Sequence, residues 1–333
     1  GHWLVFASKA GTPYTRLFLT NIDARGESSP AVLLDAFAIE GRAANIPEFV
    51  DLHEKGIRAI RERFVDDTYL VRSGNAFREG GAFARAVAQY RRALEGNPTN
   101  VSALIDLGAT LADQNKLPEA IDALRKALAL APANAPALFN LGVVYAKQGD
   151  LDAAIRCGDE SVRIDPSSAS AQCNLGVLLL ERGRLDEALG HLVEALRIDP
   201  KKDNAYFAVG RIMVRQGRLA DAVRCYGEAL KLAPDERYLN ALAWIYATAP
   251  DPGLRDGKRA VELALRLCEK TGFQSPRALD VLAASYAEAG RFAEAARAAE
   301  EAVEGAQKQG NSRLAAEAAQ RLDRYRHGQP FHQ

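Results

Sequence analysis

A period of 34 residues runs through the middle of the chain and constrains its fold more than any other feature. Three residue types recur at this interval: proline (Pro98, Pro132, Pro166, Pro200, Pro234), glycine (Gly74, Gly108, Gly142, Gly176, Gly210) and alanine (Ala86, Ala120, Ala154, Ala188, Ala222). A further column of small residues repeats with them, at Ala93, Ala127, Ser161, Ala195 and Ala229. Because independent columns share one period, the sequence predicts a stack of repeated units.

Within one period, the pattern predicts two helices joined by a tight turn. Between Gly142 and Pro166, two stretches with helical apolar spacing are separated by Gly149-Asp150. Proline restricts the residue before it, so each second helix is expected to end ahead of its proline. The small residues let the two helices approach closely. One hairpin cannot bury its apolar face alone, so neighbouring hairpins must stack.

These landmarks resemble those of the tetratricopeptide repeat. The fourth repeat shows them most fully, with Leu175-Gly176, Gly183, Ala188, Ala195 and Pro200. The resemblance covers five regular repeats over residues 67–234 and two divergent repeats over 235–310, in which Ala249–Gly253 lengthens a turn. It implies an all-α fold, a right-handed α-solenoid of about seven helical hairpins. We expect a flanking helix at 50–66 and a capping helix with a polar tail at 311–333.

The third repeat departs from the family at its second helix. Gly158 occupies a position where the family has a large residue, inside a helix predicted over 152–164. Glycine in a helix costs about 0.8–1.0 kcal/mol relative to alanine. We therefore predict that Gly158→Ala stabilises the protein modestly, unless another side chain fills the space above the glycine.

The first residues share no column with the repeats. Residues 3–6 and 17–19 are short apolar runs joined through Gly11-Thr12-Pro13, which predicts a small β-hairpin within 1–49. Together with Asn45–Val50, this run resembles the end of a TolB-like β-propeller. That resemblance implies a propeller remnant ahead of the repeats and makes export to the bacterial periplasm plausible, while the compartment stays open between periplasm and cytoplasm.

Composition and motifs argue against several functions. The 43 basic and 43 acidic residues cancel and are interspersed, which disfavours nucleic acid as a partner. No apolar stretch is long enough to predict membrane insertion. Nucleotide-binding, nucleophile-elbow and zinc-protease motifs are absent, so we predict no enzyme, no cofactor and no metal site. His327 and His332 near the end of the sequence lack further ligands, and the four cysteines are expected to be reduced.

In the resembled family, the first helices of the hairpins line a concave face that binds peptides. Carried onto this sequence, the inward-facing positions predict a groove lined by Asn75, Ile105, Phe139, Asn140, Val143, Asn174, Val177, Phe207 and Arg211. Asn140 and Asn174 stand at equivalent positions of successive repeats, as in the asparagine ladder of O-GlcNAc transferase, and an amide can both donate to and accept from a peptide backbone. The alternative is that these asparagines satisfy neighbouring helix groups and that Phe139 and Phe207 pack between repeats.

The charges of the predicted groove are mixed. Asp106 and Glu181 oppose Lys147, Arg211 and Arg215, and the fifth repeat is its basic end, which favours an acidic ligand segment. The sequence lacks the carboxylate clamp of chaperone-binding members, which requires Lys or Arg at set positions. With Asn75 as its start, the other clamp positions hold Val71, Asp106 and Pro136.

The sequence thus predicts a non-catalytic scaffold that binds a peptide or helix of a partner protein in the groove. The alternative is the C-terminal interaction module of a larger, propeller-containing envelope sensor or enzyme. Self-association, with one copy docking into another, is a third reading.

Overall fold

The computed structural model describes the backbone of three N-terminal strands and all of residues 67–333. The helix predicted at 50–66, the turn at Gly11-Thr12-Pro13 and the segment Asn45–Val50 lie outside the described residues.

The three strands pair as a consecutive antiparallel sheet in the order β1-β2-β3. Their bounds are β1 (His2–Ser8), β2 (Thr15–Ile22) and β3 (Val32–Ile39). Val5 on β1 stands opposite Leu19 on β2, and Phe18 on β2 stands opposite Leu33 on β3. Residues 3–6 and 17–19, predicted as strands, fall within β1 and β2, whereas β3 has no counterpart in the sequence prediction.

The described remainder of the chain is helical, in agreement with the all-α fold class expected. The first four helices are α1 (Asp67–Glu79), α2 (Phe83–Gly96), α3 (Val101–Asp113) and α4 (Leu117–Leu130). The next six are α5 (Ala135–Gln148), α6 (Leu151–Ile164), α7 (Ala169–Arg182), α8 (Leu185–Ile198), α9 (Asp203–Arg215) and α10 (Leu219–Leu232). The last five are α11 (Glu236–Thr248), α12 (Gly257–Lys270), α13 (Pro276–Glu288), α14 (Phe292–Lys308) and α15 (Ser312–Arg326).

Local sequence explains where these helices begin and end. α6 stops at Ile164, two residues before Pro166, and α8 stops at Ile198 before Pro200. The Ser168 side chain accepts a hydrogen bond from the Ala171 backbone N–H and so caps the start of α7. The lengthened turn expected after α11 is present and holds a short 3-10 helix, Pro252–Leu254.

By the density of their internal contacts, residues fall into two compact units, 1–144 and 145–333. In the first, Leu104, Ala127 and Ala137 are buried together. In the second, one continuous apolar core extends from Ala154 to Tyr325. In that unit α7 packs on α8, α9 on α10 and α11 on α12, and α7 also meets α9.

The glycine column marks the closest approach of the two helices in a hairpin. A methyl group placed on Gly176 would lie 2.6 Å from Cγ of Leu192, and one on Gly210 would lie 2.4 Å from Cε1 of Tyr226. The same relation holds between Gly74 and Tyr90 at 2.4 Å. Real carbon atoms do not approach so closely, so these sites accept only glycine without rearrangement.

The exception stated in the prediction for Gly158 applies, because a neighbouring side chain fills the space above it. A methyl group there would lie 3.1 Å from Cδ1 of Leu175, which is fully buried. The side chain that fills the space comes from the following helix, α7. Because Leu175 must shift by a few tenths of an ångström, the gain expected from Gly158→Ala is reduced or cancelled.

The segment after α15 also differs from the polar, unpacked tail that the sequence predicted. Phe331 packs on the apolar core of the second unit. The Gln333 backbone N–H donates to the Thr248 carbonyl oxygen at 2.9 Å. None of the helices within 67–333 is both long enough and apolar enough to cross a membrane.

Candidate functional site

An open pocket in the second unit brings together four of the predicted groove residues. Its volume is about 370 Å³, and its walls come from α7, α9 and the start of α11. Asn174 and Val177 of α7 face Phe207 and Arg211 of α9 across it. The remaining lining residues are Ser170, Cys173, Lys202, Asn204, Ala208 and Arg237. We refer to it as the α7–α9 pocket.

Asn174 is the polar group in the α7–α9 pocket that has most capacity left for a ligand. Its side chain is half-buried and forms no hydrogen bond with any described residue. Val177 lies one helical turn further along α7, so an amide and an apolar surface stand side by side. An extended backbone that reached Asn174 would find both a donor and an acceptor there.

Phe207 forms the aromatic part of the pocket and also packs between repeats. Its ring centroid lies 5.3 Å from that of Tyr226 and 5.0 Å from that of Tyr238. These contacts hold one side of the ring, while the side that lines the pocket stays partly exposed. The packing interpretation therefore applies to Phe207, and its role as an apolar anchor for a ligand stays a prediction.

Three cationic side chains surround this apolar surface. Arg237 lies over the Phe207 ring, with its Cζ 5.5 Å from the centroid, and it donates hydrogen bonds to Asp235 and Asn204 at 2.9 Å. The Lys202 ammonium donates to the Ser170 hydroxyl at 2.9 Å. Arg211 pairs with Glu181 at 2.8 Å. The lining contains no carboxylate, but Glu181 and Asp235 just outside it pair with Arg211 and Arg237, whereas Lys202 bonds a hydroxyl.

Ionisation of the neighbouring groups follows from these contacts. The hydrogen bond from Arg237 lowers the pKa of the Asp235 carboxyl. Burial raises the pKa of the Tyr226 phenol to about 12 and also raises the pKa of the Cys173 thiol. At neutral pH the phenol and the thiol are therefore uncharged, whereas the Asp235 carboxylate is ionised and balances the charge of Arg237.

Other predicted residues are already engaged in the fold. Arg215, counted at the basic end of the groove, donates to the Leu180 carbonyl oxygen at 2.7 Å and so caps the end of α7. In the first unit, Asn75 accepts a hydrogen bond from the Tyr90 hydroxyl at 2.6 Å. Ile105 packs against the cluster around Leu104.

Asn75 borders a second pocket, of about 360 Å³, between α1 and α3. Glu79, Asp106 and Asp113 also line it, and Arg78 pairs with Asp113 at 3.2 Å. Burial raises the pKa of the Asp106 carboxyl, and a hydrogen bond from Asn75 opposes that shift. This pocket is thus predominantly acidic, unlike the α7–α9 pocket.

The predicted groove residues of the third repeat lie on α5. Phe139, Asn140 and Val143 are all half-buried, and the Asn140 side chain has no hydrogen bond to a described residue. The structure therefore leaves their predicted role untested.

Sequence reasoning missed two cations of the α7–α9 pocket, Lys202 and Arg237. Both stand at or beside a helix start, outside the columns that identify inward-facing positions. The sequence did hold a signal for them, because each follows a repeat proline within three residues and so marks the start of the next helix.

Comparison with known proteins identifies the repeats. A family profile described as "TPR repeat" matches residues 74–114 and 108–149. Profiles described as "Tetratricopeptide repeat" match residues 139–203, 179–245 and 277–308. No curated protein is similar enough in sequence to count as a relative.

Several solved structures resemble parts of the chain. The crystal structure of MamA is 28% identical over 48% of this chain and 93% of its own, with a TM-score of 0.43. YrrB, described as a TPR protein with an unusual peptide-binding site, is 25% identical over 56% of this chain and 96% of its own, with a TM-score of 0.44. TTC0263, a thermophilic TPR protein in Thermus thermophilus, is 23% identical over 53% of this chain and 98% of its own, with a TM-score of 0.47. With the column of close-packed glycines, the matched profiles show that the chain carries an array of tetratricopeptide repeats.

Proposed function

We propose that the chain is a non-catalytic scaffold that binds an extended segment of a partner protein, and that the α7–α9 pocket is its main contact. One observation carries the proposal. In that pocket an unengaged amide, Asn174, stands beside a partly exposed aromatic ring, Phe207, under a rim of cations.

The chemistry of this pocket defines the segment that it would receive. An apolar side chain of the ligand would cover Phe207 and Val177, and the ligand backbone would pair with Asn174. An Asp or Glu beside that apolar residue would meet Lys202, Arg211 and Arg237. The proposed ligand is therefore a short extended segment with an acidic residue next to an apolar one.

Selection from a random peptide library displayed on phage tests the proposal. We expect the enriched peptides to combine an acidic and an apolar residue, and we expect Asn174→Ala and Arg211→Ala each to reduce their binding. Both changes leave the glycine, alanine and proline columns intact, and the Arg211–Glu181 pair is partly exposed, so the fold should survive.

A matched control uses Arg197, which pairs with Glu194 on the exposed side of α8, away from the α7–α9 pocket. Arg197→Ala should leave peptide binding unchanged. Enrichment of basic peptides, or equal loss in all three variants, would contradict the proposal.

A second candidate is an interaction module within a larger propeller-containing sensor or enzyme. Its support is the order of the three N-terminal strands, which pair consecutively and antiparallel as the strands of a propeller blade do. Sequencing the gene upstream of Gly1 tests it, since further strand repeats of propeller period would favour this candidate and their absence would remove it.

A further inference from the structure

The segment that follows α15 folds back onto the second unit. Gly328 has a φ of 70°, in the left-handed region, and the Gln329 backbone N–H donates to the Arg324 carbonyl oxygen at 3.0 Å. This turn ends α15 and directs the following residues toward α11 and α13. We call residues 328–333 the tail.

An aromatic side chain anchors the tail. The Phe331 ring centroid lies 6.1 Å from that of Trp244 on α11. The Arg321 guanidinium lies 5.5 Å from the Phe331 ring and 5.4 Å from the Trp244 ring. Phe331 is therefore held by an aromatic ring and a cation, both of which favour a π system.

Two polar contacts complete the docking. The Gln333 backbone N–H donates to the carbonyl oxygen of Thr248, the last residue of α11, whose carbonyl has no partner within its own helix. The His332 Nε2 lies 2.7 Å from Oε2 of Glu288 on α13. The tail thus supplies an apolar ring, a basic group and a backbone donor.

The polar groups of the receiving surface have partners outside the tail. Arg321 donates two hydrogen bonds to Asp280, at 2.9 Å and 2.7 Å, and both side chains are less than one-tenth exposed. Glu288 is held by Arg255 at 3.0 Å. A surface whose polar groups are already oriented keeps its shape when its occupant leaves.

This surface continues the face that forms the α7–α9 pocket. In each of these repeats the first helix carries a small landmark residue, and the residue after it faces the same side of the helix. Val177 and Arg211 occupy that position in the α7–α9 pocket, and Trp244 occupies it in α11. The tail therefore lies on the side of the first helices that, two repeats earlier, forms an open pocket. The ligand charge is opposite to the acidic one proposed for the α7–α9 pocket, because Glu288 here faces the basic side chain of His332.

We propose that Trp244, Thr248, Glu288 and Arg321 form a second peptide-binding site, for a partner segment in which a basic residue follows an aromatic one. The tail occupies this site in cis, and the partner segment displaces it. Because the tail is joined to the site through the short turn after α15, its docking is intramolecular, with an effective concentration on the order of millimolar that an external segment must exceed. This second site does not depend on the function proposed for the α7–α9 pocket.

The probe for this proposal is the capped synthetic peptide Gly-Gln-Pro-Phe-His-Gln, which copies the tail. The chain has two tryptophans, so Trp3→Phe leaves the indole N–H signal of Trp244 alone in an NMR spectrum. In that background, Phe331→Ala should shift the Trp244 signal, and millimolar peptide should return it toward its original position. The midpoint of the titration should lie at least tenfold lower in Phe331→Ala than in the chain with an intact tail.

Peptide variants test the ligand chemistry. Replacement of the peptide histidine by lysine should preserve binding, replacement by glutamate should weaken it at least tenfold, and replacement of the phenylalanine by alanine should abolish it. Glu288→Gln in the protein should weaken binding of the lysine peptide.

Several results would overturn the proposal. One is an unchanged Trp244 signal in Phe331→Ala, because the tail would then not dock there. A second is that the peptide titrates Phe331→Ala and the chain with an intact tail at equal midpoints. A third is that the peptide does not shift the Trp244 signal in either protein. His332→Ala gives an independent test of tail release, and an acidic peptide bound at the α7–α9 pocket should be unaffected by Phe331→Ala.

Discussion

The contact between the glycine column and the facing helix predicts that two glycine-to-alanine changes in one hairpin have opposite effects on stability. Gly176 on α7 and Gly190 on α8 both lie inside helices. A methyl group on Gly176 would meet Leu192 Cγ at 2.6 Å and the Ala188 carbonyl oxygen at 3.1 Å. A methyl group on Gly190 would meet nothing within 4 Å.

The contacts determine how large each change in the free energy of unfolding should be. Leu192 is fully buried, and the Ala188 oxygen belongs to the backbone, so rotamer changes alone cannot relieve the overlap at Gly176. Overpacking costs about 1–3 kcal/mol, from which the better helix propensity of alanine subtracts about 0.8–1.0 kcal/mol. Because the contacts at 2.6 Å and 3.1 Å involve a buried side chain and the backbone, we take the upper part of the overpacking range, about 2–3 kcal/mol. We therefore expect Gly176→Ala to lower the free energy of unfolding by about 1–2 kcal/mol and Gly190→Ala to raise it by about 0.8–1.0 kcal/mol.

Urea unfolding followed by far-ultraviolet circular dichroism measures both variants against the parent chain. Gly158→Ala, with its 3.1 Å approach to Leu175, should fall between them. If Gly176→Ala is as stable as the parent, or if the two variants shift in the same direction, the close approach of α7 and α8 is not what the glycine column encodes.

Three further predictions concern the rest of the chain. Asp280→Asn should cost about 3–5 kcal/mol in urea unfolding, because it leaves the Arg321 guanidinium buried without its counter-charge, and the double change Asp280→Leu with Arg321→Met should recover most of that loss. All four cysteines should be reduced, and Cys268, which is fully buried and whose thiol pKa burial raises to about 11, should be alkylated in the folded protein more slowly than the partly exposed Cys225; mass spectrometry that finds a disulfide or equal alkylation rates would contradict this. Deletion of residues 1–49 should leave helicity and cooperative melting intact, and a fall in melting temperature of more than about 10 °C would show that the strands are integral to the fold.

The repeat landmarks predicted the helices well because their causes are local. A proline acts on the residue before it, and a lengthened turn such as Ala249–Gly253 is visible as a cluster of turn-forming residues. The glycine column also involves a local pairing, since Gly176 meets Leu192 in the adjacent helix of the same hairpin.

Effects that act between hairpins were harder to predict. Gly158 is limited by Leu175 of the next repeat, so its outcome depends on a distance that the sequence does not contain. The tail was expected to be polar and unpacked, whereas Phe331 finds Trp244 far away in the sequence. Side-chain roles set by such long-range contacts cannot be deduced from a repeat pattern.

The candidate site was predicted in part. The inward-facing columns identified Asn174, Val177, Phe207 and Arg211, which line one pocket. They did not identify Lys202 and Arg237, because residues at helix starts lie outside those columns.

The most direct test of the central claim is the affinity of a library-selected acidic peptide for the double variant Asn174→Ala with Arg211→Ala, measured by isothermal titration calorimetry. Loss of a backbone hydrogen bond and of a charge-assisted one should together cost at least about 2 kcal/mol, or roughly thirtyfold in Kd. Arg197→Ala, on the exposed side of α8, should bind as the parent does. A folded double variant that binds the peptide with the affinity of the parent would show that the α7–α9 pocket is not where the protein holds its partner.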